Sequence, residues 1–302
     1  MYHEQGMRQP EIAERLHLSQ SRVSRLLKEA VTLGIVRTVV IPPPGVHSAL
    51  EDEVRDRYAL SDVVIANTVD DGAGLISALG AAGAAYLETT LSADDRVGLS
   101  SWSATLLATV DAMTPRSSRF AHEVVQVIGG VGNPPVQVSA TRLTDRFAQV
   151  TGAEPKFFHA PGIVGTPAAR DALMEDPFIQ ELTAEWKNLD VLLAGIGSVS
   201  PSTLLAASGN TLSEADLGRL RGAGAVGDVC LRYFDGDGQL IVTEVDARVV
   251  GISSEDLRAV PRKIGIAGGE RKLEAIRGAA LGGWINVLIT DLATACRLVD
   301  GC

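Results

Sequence analysis

"EIAERLHLSQSRVSRLLKEA", residues 11–30, implies two helices with a three-residue turn between them. Ile12, Ala13 and Leu16 mark one apolar face of a short helix, with Pro10 tolerated in its first turn. Val23, Leu26, Leu27, Ala30 and Val31 fall at i, i+3, i+4, i+7 and i+8 of the second. Only "HLS", 17–19, separates them, with Ser19 placed as an N-cap and Gly34 as the stop. Ala13 is small where the helices would cross, and Val23 fills the gap between them. The rest of the second helix carries Gln20, Ser21, Arg22, Ser24, Arg25 and Lys28. This is the helix-turn-helix pattern.

Groove chemistry explains the dressing. Gln20, Ser21 and Ser24 can bond base edges or phosphates, Arg25 can reach guanine bidentately, and Arg22 and Lys28 can neutralise phosphates. A solvated helix of another small bundle is the plainer alternative, but turn length, stripe phase and charge all favour the first reading. The 302-residue chain has a formal charge of −10, yet residues 1–41 hold six Lys or Arg and four Glu, a balance of +2. The remainder stands at −12, so only the N-terminal piece suits a polyanion.

Length leaves room for a large domain behind this module, and 46% hydrophobic against 21% charged residues argues for a full core. Cys230, Cys296 and Cys302 are odd in number and lack C-x-x-C spacing, so neither a disulfide framework nor a zinc site is implied. A reducing cytoplasm fits best. No signal-peptide pattern opens the chain. The uncharged run Gly72 to Leu87, 16 residues mostly of Gly and Ala, is short of the roughly 20 needed to span a bilayer and reads as a close-packed core helix.

"GIVRTVVI", 34–41, reads as a strand closing the first module, and "PPPG", 42–45, as a stiff spacer. Ser48 to Tyr58 look helical, with Leu50, Val54 and Tyr58 on one side. We therefore expect a helix-turn-helix domain over 1–41, a linker or oligomerisation helix over 42–60, and a ligand-binding domain over 61–302. From 61 onward, Val, Ile and Leu runs such as "DVVIANTV", "EVVQVIGG", "DVLLAGIGS", "DVCLRYF", "QLIVTEV", "KIGIAGG" and "INVLITD" alternate with helical stretches. That pattern predicts a Rossmann-like α/β domain with a largely parallel sheet, whose ligands sit beyond the carboxyl ends of the strands.

Glycine-rich and hydroxyl-rich turns fall at those ends. "GLSSWSATLL", 98–107, opens a helix whose free N–H groups suit a phosphate. "GGVGN", 129–133, "GIGSVS", 195–200, and "GIAGGERK", 265–272, follow; singly each is no more than a tight connection. "DGDG", 235–238, lacks the spacing of a calcium loop and reads as a hairpin turn.

The opening "YHEQGMRQPEIAERLHLSQSRVSRLLKEAVTLGIVR" resembles, nearly throughout, that of the SorC family of bacterial sugar-responsive transcriptional regulators. Arg8 stands where the family usually has Ser, at a cost of about 1 kcal/mol in capping. His17 replaces the customary turn Gly and pays strain if the site needs positive φ. Only Met1 to Gln5 precede Gly6, so the helix that normally precedes such a pair is a stub or the true start lies upstream. "VVQVIGGVG", "GIGS", "GDVCLRYFDGDG", "VVGIS", "IGIAGGERKLEAIRGAALGG" and "INVLITD" are similar, in order and spacing, to blocks of the SorC-type effector domain. That domain's fold is like the sugar-phosphate isomerases. The stretch "GLSSWSATL" is one residue longer than the commoner family form.

The resemblance implies a regulator whose operator binding is controlled by a phosphorylated sugar or related metabolite. Ser101, Ser103 and Thr105 match the family's phosphate loop, Gly130 and Asn133 its second ligand loop, Asp228 its ligand-bonding acid and Lys272 its lysine. Asp228 can accept sugar hydroxyls and Lys272 can set a positive charge by a phosphate. Double-stranded operator DNA and a homodimer or homotetramer are implied, with no membrane, cofactor, metal or catalytic residue. The rival is a sugar-phosphate-processing enzyme with an accessory front module; Asp228 is a candidate base, but no second acid, histidine or nucleophile clusters with it in the chain.

Overall fold

The computed structural model describes residues 1–2, 6–32, 35, 47–68, 73–116, 118–131, 134–200 and 212–299, and the chain divides into two compact units, Met1–Pro44 and Gly45–Cys302. In the smaller unit the two stripes meet. Helices α1 (Gln9–Arg15) and α2 (Gln20–Thr32) bury Ile12, Ala13 and Val23, with Met7, Leu18 and Leu27 packed against them. Leu16 and Leu26 depart from the expected stripes, each being 45% exposed. Leu16 is the residue that ends α1, and Leu18 takes its place in the core.

Local capping follows the sequence closely. The Ser19 hydroxyl accepts the Arg22 N–H at 3.3 Å. Arg8 offers no acceptor; the Glu11 carboxylate takes the Arg8 N–H at 2.9 Å instead, leaving half of a capping box. His17 sits at φ +50°, the left-handed position where a glycine would be free of strain. Gly34 and residues 36–45, to which the sequence assigned a helix stop, a strand and a spacer, lie outside the described residues.

The larger unit begins with α3 (Ser48–Tyr58). Rather than standing apart as a linker, this helix is built into the core: Val54 is fully buried and the Tyr58 hydroxyl donates to the Leu298 carbonyl at 2.9 Å. Then come β1 (Asp62–Ala66), α4 (Ala73–Thr90), β2 (Arg96–Leu99), α5 (Ala104–Ala112), β3 (Glu123–Gln126), α6 (Pro134–Thr151) and β4 (Glu154–Lys156). Next are α7 (Pro167–Met174), α8 (Pro177–Ala184), β5 (Val191–Ser198), α9 (Glu214–Gly222), β6 (Gly227–Val229) and β7 (Arg232–Phe234). The chain closes with α10 (Ser254–Ala259), β8 (Arg262–Ile266), α11 (Leu273–Leu281), β9 (Val287–Asp291) and α12 (Leu292–Leu298).

The strands line up as β1-β9-β8-β5-β2-β3-β4, every neighbour parallel, with β6 antiparallel to the end of β5 and β7 antiparallel to β6. Alternate residues serve opposite faces, as period-2 geometry demands. Along β5, Leu192, Ala194 and Ile196 join the core that holds α3, α11 and α12, while Val191 and Leu193 join the one that holds α4, α5 and α6. The Gly/Ala run forms α4, as expected. Its Gly80 lies so near α5 that an added Cβ would stand 2.8 Å from the Ala108 backbone.

Topology fixes where a ligand can enter. From β2 the chain winds outward through β3 and β4, then returns to lay β5 on the other side of β2 and continues outward through β8 and β9. Winding reverses between β2 and β5, the point beyond whose carboxyl ends open α/β sheets take their ligands.

Three expectations need correction. "DVCLRYF" is not one strand but a hairpin, turning at Cys230 and Leu231 with φ +54° and +60°. "QLIVTEV" contributes only the bridge Phe234–Leu240. Cys296 is disulfide-bonded, contrary to the odd-count reading, while Cys230 is a buried free thiol. The "DGDG" stretch is the expected turn: Gly238 N–H donates to the Asp235 carbonyl at 2.9 Å and the Asp235 carboxylate accepts from Asp237 and Gln239.

Candidate effector site and exposed helix

Ser103 caps α5 at the tip of the β2 loop, its hydroxyl accepting the Leu106 N–H at 3.2 Å. The hydroxyl proton stays available to a ligand, and the first N–H groups of α5 point the same way. Ser101 behaves differently. Its hydroxyl is buried and donates to the Ile128 carbonyl at 2.9 Å, and the neighbouring Trp102 indole donates to the Gly129 carbonyl at 3.1 Å. Ser101 and Trp102 thus fasten the β2 loop to the β3 loop. Thr105 is buried in the first turn of α5. Gly130 is buried on the β3 loop, 3.3 Å from its would-be Cβ to the Gln126 amide. Asn133 lies outside the described residues.

Asp228 reaches the site from the hairpin, where β6 pairs with the end of β5 and sets Asp228 opposite Gly197. Its Oδ2 accepts the Leu231 N–H at 2.9 Å and so steadies the left-handed turn. Oδ1 accepts from no described residue and lies 2.0 Å from where a Cβ on Gly197 would be. Lys272 comes from the opposite flank, after β8, and its amine donates to the Ile196 carbonyl at 2.8 Å. Ser103 Oγ lies 2.7 Å from the Cβ position of Gly195. Three side chains, from the β2 loop, strand β6 and the segment after β8, therefore converge on Gly195, Ile196 and Gly197, beside the reversal point of the sheet.

Electrostatics follows from that burial. Removal from water pushes the Asp228 carboxyl up to about 6, opposed by the Leu231 N–H and by the charge on Lys272. Burial lowers Lys272, and the charge on Asp228 opposes the drop. Cys230 is pushed up to about 12 by burial and by Asp228, and Tyr233 is raised for the same reasons. Neither is an ionised nucleophile near neutrality. Among the described residues no group of three or more His, Cys, Asp or Glu is placed to hold a metal. A cleft of about 390 Å³ at the amino-terminal end of the sheet, lined in part by Arg96, Trp186, Asp190 and Pro261, holds none of the residues above.

The sequence singled out "GIGSVS" as a turn at the ligand end and gave its glycines no site role, whereas Gly195 and Gly197 lie within β5 (Val191–Ser198). Gly195 and Gly197 alternate on one face of β5, and a G-x-G at a strand end is the signal that a polar group approaches closely there. Asp291, at the end of β9, gave no local signal.

In the smaller unit Gln20, Ser21, Arg22, Ser24, Arg25 and Lys28 are all exposed along α2. Ser21 Oγ lies 3.0 Å from Ser19 Oγ, at the cap. Arg22, Arg25 and Lys28 form no ion pair with a described residue. The serine and cation face is thus open to an outside partner.

An open parallel sheet with Ser103, Asp228 and Lys272 gathered beside its reversal point, preceded in the chain by a two-helix unit with an exposed basic face, places the chain in a two-unit α/β class. Comparison narrows this. A family model described as "Putative sugar-binding domain" matches residues 43–300. The deoxyribonucleoside regulator of Bacillus subtilis (strain 168) is 31% identical over 301 residues, covering 99% of this chain and 95% of the relative. The sorbitol operon regulator of Klebsiella pneumoniae is 30% identical over 302 residues, covering 98% and 94%. The crystal structure of that full-length regulator, SorC, matches with a TM-score of 0.77 at 30% identity, over 99% of this chain and 95% of that one. The chain belongs to the SorC family of sugar-binding transcriptional regulators. Among the described residues no helix is long and apolar enough to cross a membrane.

Proposed function

We propose that this chain binds operator DNA through α2 and that a phosphorylated sugar or related metabolite, seated beyond β2 and β5, controls that binding. The carrying observation is the convergence of Ser103, Asp228 and Lys272 on Gly195–Gly197. Ser103 and the start of α5 offer donors to an anion, Lys272 supplies a positive charge with two further N–H donors, and Asp228 Oδ1 is left for a sugar hydroxyl. Gly130 lies on the adjoining β3 loop, and Asn133 is assigned to the site on the family resemblance alone. Ser101 contributes by holding the loop, since its proton is engaged by Ile128.

A single helix-turn-helix in an otherwise acidic chain binds DNA weakly, so the working form is a dimer or tetramer reading paired half-sites. The chain acts in the cytoplasm and catalyses no reaction. The discriminating experiment is a thermal-shift screen with pentose and hexose phosphates on wild type and Lys272→Ala, run beside a turnover assay. Stabilisation of wild type that shrinks in Lys272→Ala, without product, supports a sensor. Equal shifts in both proteins remove Lys272 from the site, and product formation favours the enzyme reading.

A further inference from the structure

Lys272 is held by more than its own hydrogen bond. The segment that presents it, Ala267–Lys272, leaves β8 through two glycines, and the second has φ +89°. Gly269 is fixed at both ends: its carbonyl accepts the Lys272 N–H at 3.0 Å, and its N–H points into the end of the neighbouring strand. There it meets Asp291 Oδ2 at 2.8 Å and Thr294 Oγ1 at 2.9 Å. Asp291 is 4% exposed, and its other bonds go to the Thr294 hydroxyl at 2.6 Å and the Thr294 N–H at 3.0 Å. Gly268 gives the carboxylate room, because a Cβ there would stand 2.2 Å from Asp291 Oδ2.

We propose that Asp291, with Thr294, is a positioning residue for the effector site: it clamps Gly269, and Gly269 sets the turn that aims the Lys272 amine at the end of β5. The inference rests on the reading of Lys272 as an effector ligand. A loop with two glycines has many conformations to lose, and a buried carboxylate with matched donors fixes one of them. Asp291 lies on β9, separated from β5 by β8, so it reaches the ligand only through Lys272.

The test needs no identified ligand. The chain has five lysines, Lys28, Lys156, Lys187, Lys263 and Lys272, each of which can be followed by mass spectrometry during competitive acetylation with acetic anhydride. Lys263 is an internal control for general loosening: it is 8% exposed, with its amine on the Arg258 and Val260 carbonyls. In the full-length protein, Asp291→Asn and Thr294→Val are expected to raise Lys272 labelling about tenfold with Lys263 unchanged, whereas Thr294→Ser restores the wild-type rate. Unchanged Lys272 labelling in both variants overturns the proposal, and so does a rise at Lys263 in step with Lys272. If Asp291→Asn fails to fold because it also caps α12, Thr294→Val carries the test. Failure of the effector reading shows separately, as sugar-phosphate shifts insensitive to Lys272→Ala; the clamp then remains as geometry but loses its role in the site.

Discussion

Asp228 carries two opposed demands. Its folded value of about 6 against an ordinary 3.8 means that burial favours the neutral acid by about 3 kcal/mol. The sign follows directly: with the folded value raised, this contribution to stability is complete below pH about 3.8 and is lost as pH rises through about 6. Near neutrality the ionised acid is a cost to the empty protein. Asp228→Asn, which keeps an acceptor for Leu231, should therefore raise the melting temperature at pH 7.5, and the advantage should shrink towards pH 4. The same variant should lose its response to sugar phosphates, because a ligand hydroxyl donates best to the carboxylate. Calorimetric titration of wild type should likewise show affinity falling as pH drops below about 6. A melting temperature for Asp228→Asn below wild type at pH 7.5 would contradict the account.

Elements were legible where one local rule decided them. Apolar runs ending in Gly gave the strands, and the Gly/Ala stretch gave α4, because those patterns record burial on both faces of a parallel sheet. The β6–β7 hairpin was hidden because Cys230 and Leu231 adopt positive φ without the Asn or Gly that announces such a turn. Helices α7 and α8 gave no stripe to read, as neither buries a residue fully. The candidate loops stood out through their Ser and Gly, but the meaning of Gly195 and Gly197 depends on loops far away in sequence. Two glycine variants separate these roles. Gly80→Ala, at the α4–α5 crossing, should lower stability by about 1–3 kcal/mol while leaving effector affinity intact. Gly197→Ala pushes on Asp228 itself and should abolish the effector shift as well. Denaturant melts with a sugar-phosphate titration distinguish the two, and normal effector binding by Gly197→Ala would remove this strand from the site.

At the scale of the whole chain, +2 on residues 1–41 stands against −12 on the rest, so the proposed operator binding through α2 would rest on a few phosphate contacts. Lys28→Gln should reduce the slope of log affinity against log salt by about one and weaken all duplexes alike, whereas Arg25→Gln should blunt discrimination between operator and scrambled DNA. Sugar phosphates are themselves anions, and two routes to weaker DNA binding must be told apart. One is competition for the cations of α2; the other is linkage, in which the ligand in the larger unit favours one state of the protein. Linkage is reciprocal: the factor by which a sugar phosphate changes operator affinity must equal the factor by which operator changes sugar-phosphate affinity. Competition at α2 would survive in Lys272→Ala and would be matched by inorganic phosphate at equal ionic strength. The expected result is an equal factor in both directions for wild type, none for Lys272→Ala, and none with scrambled duplex. Fluorescence anisotropy of labelled operator paired with calorimetry of the sugar phosphate measures both sides; an effect that persists in Lys272→Ala would place the sensing event on the DNA-binding helix instead of beyond β5.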